Sequence, residues 1–81
     1  MIKNKTLLEA KILALKEFFD AKYDKKRNVI DLYAYNLIMN KIFKLIINIK
    51  HSDLSFIKKI KYKRQLQKIA VTLEYAIKEN K

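Results

Sequence analysis

Eight carboxylates, one histidine and no cysteine are the material this chain offers for catalysis or metal binding. The carboxylates are Glu9, Glu17, Asp20, Asp24, Asp31, Asp53, Glu74 and Glu79, scattered along the sequence and mostly placed at helix starts or beside basic residues. Capping and helix-dipole roles account for them without chemistry. A catalytic constellation needs a nucleophile or base next to an orienting group. His51, alone in a polar joint, reads as a turn residue and not as a base or ligand. The missing cysteines remove disulfides and zinc–thiolate sites together. The missing glycines remove the loops that cradle phosphates in nucleotide sites. We therefore expect no enzyme activity, no metal and no cofactor.

Charge is the stronger chemical signal. The chain carries a net +11 with a pI of 9.9, which makes association with something negative easy. Lys58, Lys59, Lys61, Lys63 and Arg64, followed by Lys68, form the densest run. A nucleic-acid reading would make this a phosphate-binding helix. On a helical wheel, however, these cations spread around most of the circumference. Arg27 and Arg64 are the only arginines, and lysine suits solvation and loose electrostatics better than bidentate base contacts. A soluble basic surface is the simpler expectation, with no specific nucleic acid as partner. No apolar run approaches the ~18 residues of a membrane span. Amphipathic basic helices can lie on membranes, but packing among sister helices is expected to consume each apolar stripe, leaving none for lipid.

The elements that must position these residues are helices. Eighty-one residues contain no glycine and no proline, the usual punctuation of hairpins and turns. At 51% hydrophobic and 11% aromatic, the chain can fill one small core, and its length allows a single domain over 1–81. Thr6-Leu7-Leu8-Glu9 has the spacing of a capping box, and Leu8, Ile12, Leu15 and Phe19 then recur at helical intervals up to Lys22. Tyr23 to Arg27 reads as the first joint. Asn28 as N-cap, with Asp31 in the first turn, predicts a second helix over 29–50. Its buried arc holds Tyr35, Ile38, Ile42, Leu45, Ile46 and Ile49. Its opposite side carries Asn36, Asn40, Lys44 and Asn48, with Tyr33 and Leu37 projecting among them.

His51-Ser52-Asp53 is the second joint, with Ser52 or Asp53 as cap to a third helix from about Leu54 to Lys78. That helix shows the stripe Tyr62, Leu66, Ile69, Ala70, Leu73, Ala76 and Ile77. Phe56, Ile57 and Ile60 are out of phase with it, so either the helix bends there or they cover a different neighbour. Short joints favour antiparallel neighbours. The expected fold is all-α: an up-down-up antiparallel three-helix bundle, monomeric or weakly self-associating. Leu15, Phe19, Ile38, Ile42, Leu45, Leu66, Ile69 and Leu73 should share its core.

Gln65-Leu66-Gln67-Lys68-Ile69, followed by Leu73-Glu74 and Ala76-Ile77-Lys78, closely resembles the C-terminal helix of the staphylococcal complement inhibitor family. Ile49 to Leu54 is similar to that family's second joint, with two extra residues after it. Ile30 and Tyr33 fall on an apolar residue and a tyrosine at the start of its middle helix. The likeness covers roughly 28–80; over the first helix it is only a shared pattern of leucines and lysines.

The resemblance implies a secreted immune-evasion and virulence protein, here in its mature form without a signal peptide. Its partner would be the activated third complement component within the convertase, held in an inactive assembly. The implied contact surface is the first joint and the opening turns of the middle helix: Lys26, Arg27, Ile30, Tyr33, Asn36, Leu37 and Asn40. The departures lie in the same place. The family has a glycine in its first joint and another in its middle helix, whereas this chain has none. Lys26-Arg27-Asn28-Val29 stands where a small uncharged turn is expected, adding bulk and positive charge. Weakened or lost complement binding is the corresponding expectation. The other function classes are a small basic nucleic-acid-binding protein and a helical bacterial toxin-immunity protein.

Overall fold

The computed structural model describes residues 7–79, which form three α-helices: α1 (Leu7–Lys22), α2 (Leu32–Lys50) and α3 (Phe56–Glu79). Each helix pair is in contact, as an all-α three-helix bundle requires. Local pairings give the directions. Leu8 and Lys11 at the start of α1 line a cleft with Asn48 and Ser52 at the end of α2, so these two helices run antiparallel. Glu9 on the first turn of α1 meets Tyr62 near the start of α3, so these two run parallel.

One cluster forms the core: Ile12, Leu15 and Phe19 of α1, Ala34, Ile38, Ile42, Leu45 and Ile49 of α2, and Tyr62, Leu66, Ile69, Leu73 and Ala76 of α3. All eight residues expected to share the core are in it. Helical spacing puts these side chains on one face of each helix, and the burial of large aliphatic groups there drives assembly. Two core members were not anticipated. Ile30 lies in the joint before α2, outside any helical period, and is only 1% exposed. Ala34, in the first turn of α2, is equally enclosed.

The helix starts differ from the expected ones. The Thr6 half of the proposed capping box lies outside the described residues. Asn28 does not cap α2. It sits in the left-handed region, at φ 55, inside the first joint. Asp31 is the N-cap, its carboxylate accepting the Ala34 N–H at 3.3 Å, and the helix begins at Leu32. Ser52 also belongs to a different helix end: its hydroxyl donates to the Ile49 carbonyl at 2.8 Å and closes α2. Ser55 opens α3 instead, its Oγ accepting the Lys58 N–H at 3.3 Å. His51 is the C-cap residue of α2, its N–H donating to the Ile47 carbonyl. Lys59 donates to the Lys50 carbonyl, placing a cation at the negative end of α2.

Packing does not consume every apolar side chain. Phe56 and Ile57, 76% and 77% exposed, are left largely to solvent, while Ile60, at 38% exposed, is more than half covered. Phe43 and Ile47 on α2 and Val71 and Tyr75 on α3 also face outward.

Candidate partner-binding surface

A short β-like hairpin shapes the first joint. The Asp24 N–H donates to the Val29 carbonyl at 3.0 Å, and the Val29 N–H donates back at 3.3 Å. Within it, one Asp24 carboxylate oxygen accepts the N–H groups of Lys26 at 3.0 Å and Arg27 at 3.3 Å. The chain then has to reverse through a left-handed residue. Glycine normally fills that role; asparagine is the next most tolerant residue, and Asn28 supplies it. The Tyr23 hydroxyl donates to the Asn28 side-chain oxygen, and the Tyr23 ring stacks on Phe19 with centroids 5.1 Å apart. The turn is therefore anchored to the core through an aromatic pair, which holds Lys25, Lys26 and Arg27 outward.

Of the residues assigned to a contact surface, Lys26, Arg27, Tyr33, Asn36 and Asn40 are exposed and Leu37 is half-buried. They lie on the turn and on one outward face of α2. Tyr33 is 73% exposed, and no hydrogen bond holds its hydroxyl within the described residues. Arg27 stands 3.9 Å from Asp24, an exposed pair whose long geometry contributes little. Ile30 does not share this surface. Its side chain is enclosed in the core, so it supports the start of α2 from beneath and is not available to a partner. The nearest sequence signal was its position between a turn and a cap, where an apolar side chain has no helical phase to place it.

The cleft between α1 and α3 is lined by Ile12, Lys16, Phe19, Asp20, Gln65 and Lys68, among others. Its one carboxylate is Asp20 and its one hydroxyl is Thr72, which donates to the Lys68 carbonyl at 3.0 Å. Among the described residues no group of three or more His, Asp or Glu side chains could hold a metal ion. The Tyr62 phenol is pushed up to about 12 by its hydrogen bond to Glu9, then by burial and by the Glu9 charge. That contact ties α1 to α3 within the core rim. Comparison with protein-family models, curated proteins and solved structures returns no match for this chain.

Proposed function

We propose that the chain acts by binding a protein partner through the first joint and the opening turns of α2, in the manner of a complement-evasion module. Its target would be the activated third complement component, as the resemblance of the third helix and second joint implies. The observation that supports this reading is Tyr33: a large aromatic side chain held outward on a rigid helix, flanked by Asn36, Leu37 and Asn40 and next to a braced basic turn. Exposed tyrosines on rigid elements are the kind of residue that becomes an interface anchor. The three cations of the turn would speed encounter with an acidic surface and penalise burial against an apolar or basic one. Affinity below that of the family's active members follows, since the turn is bulkier and more basic than the family pattern and Ile30 contributes no contact.

The test is surface binding of the wild type and Tyr33→Ala to the immobilised activated component, with an active family member as positive control. A wild-type signal weaker than the control, further reduced at least about tenfold by Tyr33→Ala, is expected. Binding as tight as the control removes the weakened-affinity claim. Binding that Tyr33→Ala leaves unchanged removes this surface as the site.

A further inference from the structure

The third helix has two apolar faces, and the bundle uses only one. Tyr62, Leu66, Ile69, Leu73 and Ala76 point into the core. On the far side lie two exposed apolar groups, Phe56, Ile57 and Ile60 in the first two turns and Val71 and Tyr75 further along, with Arg64 and Gln67 on the same face between them. Between Phe56 and Leu73 there are six cations and no carboxylate. By helical geometry Lys61 and Lys68 flank the outward apolar face on one side and Lys63 flanks it on the other, while Arg64 falls within it. Lysine and arginine stems lie along apolar surface while their charged heads reach for polar groups.

We infer that the outward face of α3, formed by Phe56, Ile57, Ile60, Val71 and Tyr75 in a frame of lysines, docks the bundle onto an anionic lipid surface. Three features favour lipid over another protein. The apolar side chains stand on the outer side of a helix: Phe56, Ile57 and Ile60 border none of the four main clefts, and Val71 borders only a shallow one lined by α3 itself. A fluid surface needs no complementary relief, whereas a protein partner does. The cations are almost all lysines, point charges suited to the diffuse charge of phospholipid headgroups and not to planar, two-toothed recognition. A second copy would bring like-charged frames together, at a cost. No helix of the described residues is long and apolar enough to cross a membrane, so α3 lies on the surface in the interfacial manner. The surface is separate from the α2 turns assigned to a protein partner and does not depend on that reading.

The chain has no tryptophan, so Phe56→Trp supplies a single emission probe at an exposed position. The experiment titrates this variant with phosphatidylcholine vesicles that contain or lack about 30% phosphatidylserine, at about 0.15 M salt. A blue shift with the anionic vesicles and none with pure phosphatidylcholine is expected. Sedimentation with the same vesicles should show an Ile57→Ser/Ile60→Ser variant, checked for helicity, bound at least about tenfold more weakly. Leu13→Ser, an exposed leucine on α1, should bind as the wild type does. No association with anionic vesicles overturns the inference. So does association without a blue shift, which would mean that charge alone holds the protein. Equal association with neutral vesicles overturns the charge component. Saturable binding of polyglutamate with no vesicle binding would assign the surface to an acidic protein.

Discussion

The Tyr62 hydroxyl donates a hydrogen bond to the Glu9 carboxylate and joins the second turn of α3 to the first turn of α1. Its acid–base consequence is specific. The phenol is held at about 12 in the fold against 10.0 for the free side chain. Between those values the unfolded chain has released the proton while the folded chain keeps it, so stability falls as pH rises through that window. Below it the contribution is complete. The stability difference between wild type and Tyr62→Phe, measured by urea unfolding, should be on the order of 1 kcal/mol at neutral pH. It should shrink as pH rises from 10.0 towards 12. A difference independent of pH across that window would show that the hydroxyl does not make this contact in solution.

Core truncation tests the helix phases. Leu66 and Ile42 are buried at the centre of the cluster. Leu66→Ala or Ile42→Ala should each cost about 2–5 kcal/mol, a large share of a small domain's stability. Thermal melting is the readout, and a variant that melts like the parent would contradict the packing.

Asn28 separates backbone strain from side-chain bonding. Asn28→Gly removes the acceptor for Tyr23 but keeps the left-handed turn comfortable. Asn28→Ala removes the acceptor and keeps a Cβ without asparagine's tolerance of the left-handed region, a cost of about 1 kcal/mol relative to glycine. Alanine should therefore be the more destabilising substitution in chemical denaturation. The reverse order would show that the turn does not hold this conformation.

Salt dependence addresses the nucleic-acid alternative. The cations from Lys58 to Lys68 should give feeble, sequence-indifferent DNA binding that disappears near physiological salt, because release of counterions drives it. Fluorescence anisotropy against unrelated duplexes measures this. Nanomolar binding to one particular site at physiological salt would replace the protein-binding proposal.

Periodicity made the core legible because a residue such as Leu66 has only one way to face two partner helices. Periodicity has nothing to say about Ile30, which is buried from an extended segment. The helix starts were ambiguous for a related reason. Asn28 and Asp31 are both good caps three residues apart, and Ser52, Asp53 and Ser55 offer a similar choice. What decides between Asn28 and Asp31 is a set of contacts that no propensity contains, the Tyr23–Asn28 bond and the Asp24–Val29 pairing. Phe56, Ile57 and Ile60 were visibly out of phase with the core stripe. Their phase told where they could not point, but the assumption that apolar side chains must be covered hid their exposure. For the candidate contact surface, the wheel placed Tyr33, Asn36 and Asn40 outward correctly, because a long amphipathic helix leaves little freedom there.

The absence of proline from a bundle with two short joints has a kinetic consequence. Slow refolding phases in small proteins commonly come from prolyl bonds trapped in the wrong isomer, which relax over tens of seconds. This chain has none to trap. Its helices also pack mainly against sequence neighbours, the topology associated with folding in microseconds to milliseconds. A chain diluted from denaturant should recover its helical signal in one fast exponential, without the trailing minor phase that a prolyl isomerase would accelerate.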